Sequence, residues 1–293
     1  MKNNTYLSKR QVYMTNTFPP QHQNVHPGKE SVMRPNPVYY DPSYKASEKL
    51  LGKVAVISGG DSGIGKAVAI AYAKEGADVV IIYLNEHGDA KKTAEIVKSF
   101  GGKCSLMATD LKNEKEVKSA VEKISKEFGR IDVLVNNASV QYPQNSILDI
   151  TSDQLSKTFE TNIFGMFYLT KEVLPLMQSG SAIINTTSVA GFKGSETLID
   201  YSATKGAITS FTYSLALSLI KQNIRVNAVS PGPVWTPLIV SSFNSDKVKT
   251  FGQNYPMGPA QPYELAPAYV FLACKDSCNM SGQTVHVNSG EII

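Results

Sequence analysis

From residue 53 onward, short and almost unbroken apolar runs alternate with longer stretches in which apolar residues recur every three or four positions. The runs at 54–57, 79–83, 104–107, 133–135, 182–185 and 225–229 predict strands, most of them dominated by Val and Ile. Apolar runs of that length suit strands covered on both faces. Helical periodicity predicts helices over 64–75, 89–100, 114–128, roughly 153–177 and 201–221. A last short strand fits 284–287. Such alternation implies an α/β class, a doubly wound parallel sheet with helices on both faces.

Residues 1–48 break this pattern. Prolines at 19, 20, 27, 35, 37 and 42 rule out long helices and central strands there. An extended N-terminal arm is expected, followed by one domain over 49–293. Tyr39, Tyr40 and Tyr44 give the arm an aromatic surface with which to dock.

Composition narrows the function. The chain of 293 residues, 42% hydrophobic and 18% charged, is ordinary for a globular α/β protein. A net charge of +4 from scattered lysines forms no basic stripe, so nucleic acid is not an expected partner. No apolar run is long enough to span a membrane, and residues 1–20 hold no hydrophobic signal core. The expected setting is the cytoplasm, with Cys104, Cys274 and Cys278 as reduced thiols. His22 and His26 have half a zinc-site spacing without further ligands, so no metal site is expected.

Two segments carry chemistry. The first predicted strand runs into Ser58-Gly59-Gly60-Asp61-Ser62-Gly63-Ile64-Gly65, just before a predicted helix. Glycines there let the backbone approach a pyrophosphate, while free N–H groups and the helix dipole face it. The same residues through Lys66 mimic a nucleotide-triphosphatase phosphate loop. Ala67 stands where that loop needs a Ser or Thr to bind magnesium, which excludes it. The second segment is Tyr201-Ser202-Ala203-Thr204-Lys205. Residues four apart share a helix face, so the phenol and the ammonium can enter one site. A nearby cation favours the phenolate and tunes the phenol toward acid/base work. With 14 tyrosines, this spacing alone is a weak signal.

Taken together, the motifs resemble the short-chain dehydrogenase/reductase family from about residue 51 onward. Gly59, Gly63 and Gly65 match its glycine turn, with Ser58 in place of Thr. Asp110-Leu111 match the pair that contacts adenine, and Asn136-Asn137-Ala138-Ser139 match Asn-Asn-Ala-Gly with a final Ser. Asn162, Ser188, Tyr201 and Lys205 match the catalytic set, and Pro231-Gly232-Pro233-Val234-Trp235-Thr236 match the segment over the nicotinamide. Pro27-Gly28-Lys29-Glu30 is shared with bacterial members described as general-stress or glucose/ribitol-dehydrogenase-like.

The resemblance implies a nicotinamide-dependent oxidoreductase acting on a small alcohol or carbonyl substrate, and a homotetramer built on the helices near 153–177 and 201–221. It implies that Tyr201 moves the proton, Lys205 lowers the Tyr201 pKa and binds ribose, Ser188 holds the substrate oxygen, and Asn162 holds a water. Cofactor contacts are implied for Gly59, Asp61, Ser62, Gly63, Ile64, Gly65, Tyr83, Asp110, Leu111, Asn137, Ala138, Ser139, Tyr201, Lys205, Pro231, Gly232, Val234 and Thr236.

Tyr83 ends the second strand without an acid, and no cation stands beside it for a 2′-phosphate. NAD is therefore expected over NADP, unless Lys66 or Lys91 supplies the charge. Substrate contacts are expected from 191–200, with Lys193, Glu196 and Asp200, and from a lid over 235–259, with Trp235, Phe243, Phe251 and Tyr255. Two alternatives stay open. One is an NADPH-dependent 3-oxoacyl thioester reductase, and the other is a non-catalytic dinucleotide-binding protein.

Overall fold

The computed structural model describes residues 17–293. Its seven strands are β1 (Val54–Ser58), β2 (Asp78–Tyr83), β3 (Cys104–Ala108), β4 (Val133–Asn136), β5 (Ala182–Thr186), β6 (Arg225–Pro231) and β7 (Thr284–Val287). They form one sheet in the order β3-β2-β1-β4-β5-β6-β7, and every pairing is parallel. The helices are α1 (Gly63–Lys74), α2 (His87–Ser99), α3 (Glu114–Phe128), α4 (Ser152–Phe159), α5 (Gly165–Val173), α6 (Ala190–Lys193), α7 (Ile199–Leu219), α8 (Pro237–Ser242), α9 (Ser245–Lys249) and α10 (Pro262–Ala273).

Alternate residues of each strand point to opposite faces, and the core divides accordingly. Ala55, Ile57, Val79, Ile81, Val133 and Val135 pack against Tyr72 of α1 and Leu265, Tyr269 and Leu272 of α10. Val56, Val80, Ile82, Leu134 and Ile183 pack against α3, α5 and α7 through Val117, Ile124, Leu169 and Leu219. Burial on both faces explains why these strands read as unbroken apolar runs. After β3 the chain returns to the other side of β1, so the strand order reverses between β1 and β4. The crevice beyond the carboxyl ends of those strands is where doubly wound sheets bind ligands.

Three features depart from the periodicity. The helical stretch near 153–177 is broken by a π turn at Glu160–Phe164, and Pro175 lies in a 3-10 turn at Leu174–Leu176. The segment 235–259 is not bare loop but carries α8 and α9. Helix α10 had no counterpart among the expected elements, although Pro262 at its first turn and the Gln261–Glu264 capping box mark its start.

Residues 17–53 precede β1 with only a 3-10 turn at Glu30–Val32. They lie against the body of the sheet domain. Phe18 stacks on Trp235 at 3.8 Å and 5°, and Trp235 Nε1 donates to the Pro35 carbonyl at 2.9 Å. Glu30 pairs with Lys66 of α1 at 2.6 Å, under the ring of Tyr39 at 4.0 Å. Tyr44 hydrogen-bonds Glu75.

Candidate functional site

A cavity of about 830 Å³ opens at the strand carboxyl ends. One end begins at the glycine turn. Gly59 has φ +64, and a Cβ on Gly65 would stand 2.0 Å from the Gly59 carbonyl oxygen. Only glycine permits that approach, so the chain doubles back with bare backbone facing the cavity. Gly59, Asp61, Ser62, Gly63 and Ile64 line it, whereas Gly65 supports the turn from behind. Ser62 precedes α1 in extended conformation without capping the helix through its side chain. The N–H groups of the first turn of α1 are thereby left for a ligand.

Asn137 braces this turn. Its Nδ2 donates to the Ser58 and Gly59 carbonyls at 3.1 and 3.3 Å, and Thr186 Oγ1 donates to its Oδ1 at 3.4 Å. Ser58 Oγ accepts from the N–H groups of Asn137 and Ala138. The serine that replaces threonine thus ties β1 to the end of β4. Ala138 and Ser139 continue the wall, and Ser139 Oγ is buried without a hydrogen-bond partner.

Tyr83, Asp110 and Leu111 line the cavity beyond the carboxyl ends of β2 and β3. Asp110 accepts from the Lys112 N–H at 3.0 Å, while Asn113 caps α3. Burial raises the Asp61 carboxyl to about 7, with help from Glu86 and Asp89. Lys66, considered above as a source of positive charge, is instead committed to Glu30. Lys91 does not line the cavity.

At the other end, Ser188, Tyr201 and Lys205 meet. Lys205 Nζ donates to the Thr186 carbonyl at 3.0 Å and lies 5.3 Å from the Tyr201 ring centroid. Burial lowers the Lys205 ammonium to about 7. Burial also raises the Tyr201 phenol to about 12, and a hydrogen bond with Ser188 draws it partly back. This differs from the expectation that Lys205 lowers the phenol. Burial sets both shifts, because an interior that disfavours the ammonium also disfavours the phenolate.

Asn162 sits in the π turn, outside the cavity lining. Its Oδ1 accepts from the Val140 N–H at 2.8 Å, and its Nδ2 donates to the Val140 carbonyl and to Thr204 Oγ1. Pro231, Gly232, Val234 and Thr236 roof the cavity. A Cβ on Gly232 would lie 2.8 Å from the Asn288 backbone, which explains the glycine.

Lys193, Glu196, Phe243, Phe251 and Tyr255 line the cavity as expected, but two residues do not. Asp200 turns inward and accepts from Gln154 Nε2, Thr158 Oγ1 and the Tyr201 N–H. Trp235 is wholly buried, and its ring serves the Phe18 stack rather than a substrate. Conversely, the cavity includes His26, Pro27, Gly28 and Gln141, which no local pattern connects to the glycine turn. Pro27-Gly28 stands out in the sequence, but its destination does not.

The cavity fits a dinucleotide. A backbone cradle and a helix N-terminus suit a pyrophosphate at one end, and the buried Tyr–Lys–Ser cluster stands at the other. Fold and cavity are those of a Rossmann-type α/β domain.

A family model described as enoyl-(acyl carrier protein) reductase matches residues 59–291. The chain is 56% identical over 278 residues to the uncharacterized oxidoreductase YhxC of Bacillus subtilis, spanning 94% of this chain and 97% of that one. It is 49% identical over 283 residues to the glucose and ribitol dehydrogenase of Daucus carota, again over 94% and 97% of the two chains. A short chain dehydrogenase from Burkholderia cenocepacia J2315, solved in complex with NADP, matches with a TM-score of 0.77 at 25% identity, covering 83% of this chain and 98% of that one. The protein belongs to the short-chain dehydrogenase/reductase family.

Proposed function

We propose that the protein is an NAD-dependent oxidoreductase that interconverts an alcohol and its carbonyl compound, with Tyr201 as the proton carrier. The observation that supports this most is the convergence of Ser188, Tyr201 and Lys205 in the cavity that begins at the glycine turn. When bound, the nicotinamide supplies hydride chemistry. Tyr201 Oη gives a proton to the carbonyl oxygen in reduction and takes it from the hydroxyl in oxidation. The Ser188 hydroxyl holds that oxygen and steadies the phenol. Lys205, oriented by the Thr186 carbonyl, keeps further N–H groups for a ribose hydroxyl. Asn162, with its amide already bonded to Val140 and Thr204, positions the loop after β4. In this reading residues 49–293 form the catalytic domain and residues 17–48 belong to its arm, the expected arm's residues 1–16 lying outside the described residues, and the enzyme works in the cytoplasm.

The NAD preference rests on charge. Asp61 and Glu86 line the end of the cavity near Tyr83, and the neighbouring Lys112 is engaged by Asp110 at 3.6 Å. A 2′-phosphate placed there meets acidic side chains, and because burial raises the Asp61 carboxyl to about 7 its charge is only partly present at neutral pH. In steady-state kinetics, kcat/KM for NAD is expected to exceed that for NADP by at least about tenfold, the effect of roughly 1.4 kcal/mol. Equal values, or an NADP preference, would overturn this assignment.

A homotetramer is part of the same reading. Leu155, Phe164 and Phe167 on the α4–α5 stretch and Tyr213 and Leu217 on α7 are exposed. Large apolar side chains on adjoining helices suit burial against a second copy. Light scattering is expected to give the mass of four chains, and a monomeric mass would refute it.

A further inference from the structure

The segment 235–259 beside the cavity falls into two parts that are held differently. The first part, from Trp235 through α8 and α9, is bound to the N-terminal segment. Besides the Trp235 contacts, the Gln23 N–H donates to the Val240 carbonyl at 2.8 Å and the Phe18 N–H to the Lys249 carbonyl at 3.1 Å. His22 Nδ1 hydrogen-bonds the Phe243 carbonyl at 2.8 Å. Gly28 lies so close that a Cβ there would stand 2.5 Å from the Pro237 carbonyl oxygen. Moving α8 and α9 away from the cavity would break these bonds together.

The second part, 252–258, is a loop on a narrow base. Gly252 has φ +74, and a Cβ on it would stand 2.8 Å from Pro259 Cβ, so the chain leaves and returns at nearly one point. Within the loop, the Tyr255 N–H donates to the Gly252 carbonyl and the Gly258 N–H to the Tyr255 carbonyl. Those bonds travel with the loop when it moves. Outward, the Met257 N–H donates to the Ser289 carbonyl at 3.0 Å. Gln253, Asn254 and Tyr255 line the cavity, as does Lys193. Lys193 ends α6, and its Nζ stands 5.0 Å from the Tyr255 ring centroid, within cation–π reach. The same ammonium is paired with Glu291, which lies beyond β7. The two side chains of the pair are 38% and 22% exposed. A pair so open to solvent is weak enough to break and remake.

We propose that residues 252–258 form a flap that swings about the Gly252–Pro259 base to admit and release the substrate, and that Lys193, steered by Glu291, is the latch that holds Tyr255 over the cavity while α8 and α9 stay strapped in place. That the entrant is a substrate rests on the oxidoreductase reading above. Lys193 and Glu291 are positioning residues here, acting through Tyr255.

Two measurements test this without turnover. In hydrogen exchange, Glu291→Gln and Lys193→Met are each expected to speed the amides of 252–258 by about threefold or more, the scale of one partly exposed pair. The amides of Phe18 and Gln23, which belong to the strap, are expected to keep their wild-type rates. Lys193→Arg, which keeps a cation for both partners, is expected to retain most of the protection. The second measurement uses Ser188→Cys, which places a thiol in the cavity. N-ethylmaleimide modification at position 188, read by peptide mass, is expected to speed by a similar factor when Glu291→Gln is added. Unchanged exchange over 252–258, or an increase shared equally by Phe18 and Gln23, overturns the latch. Faster exchange with unchanged modification overturns the flap as the entrance. Either failure leaves the oxidoreductase reading standing, because turnover assays decide that separately.

Discussion

Tyr201→Phe is expected to lower kcat by at least about a thousandfold, within the range that positioned acid/base groups contribute, while NAD affinity and stability stay near wild type. The substitution removes one atom. The ring remains packed with Ala190 and Leu198 and under Lys205, so neither the cavity shape nor the ammonium is disturbed. What is lost is the hydroxyl that Ser188 steadies and that carries the proton. Single-turnover kinetics beside a cofactor titration separate the two effects. Wild-type turnover in the variant would remove Tyr201 from the mechanism, and a parallel loss of NAD affinity would make its role one of binding.

The second large effect concerns the buried ion pair under the N-terminal segment. Glu30→Ala is expected to destabilise the protein by about 3–5 kcal/mol, the usual cost of leaving one partner of a buried pair alone. The Lys66 side chain is 4% exposed and that of Glu30 11%, and the Tyr39 ring covers the ammonium. Without the carboxylate, Lys66 must lose its proton or drag water inward. The double substitution Glu30→Leu with Lys66→Met is expected to recover most of the loss, because the desolvation cost disappears with the charges. Urea unfolding measures both variants. A loss below about 1 kcal/mol for Glu30→Ala would show that the pair behaves as an exposed one.

The sheet was legible because its information is local. A strand buried on both faces must be apolar throughout, and Val54–Ser58 and Asp78–Tyr83 announce themselves that way. The glycine turn was legible because Gly59 has a left-handed φ and Gly65 sits where any side chain would collide with backbone. Helix α10 was partly legible, since its capping signals are plain but its apolar residues are too evenly spread to mark one face. The contact of Trp235 with Phe18 and Pro35 joins residues about two hundred positions apart. An exposed lid tryptophan and a buried anchor have the same sequence. Asp200 shows the same limit, because adjacency to Tyr201 placed it near the site in sequence while Gln154 and Thr158 draw its carboxylate away. The direction in which Tyr201 is shifted was also beyond the sequence, since it depends on how deeply the pair is buried.

Lys205 carries a consequence for the folded state itself. An unfolded chain holds the lysine proton up to a pH of about 10.4, whereas burial lets it go near 7 in the folded protein. Between those two values the unfolded state binds more protons, so this residue makes stability rise with pH, and its cost is fully present in acid below the folded value. The interior therefore resists the ammonium placed at Tyr201. A ligand that accepts hydrogen bonds from that ammonium favours the folded chain over the unfolded one. The folded chain is thereby expected to be harder to unfold with the cavity filled than with it empty.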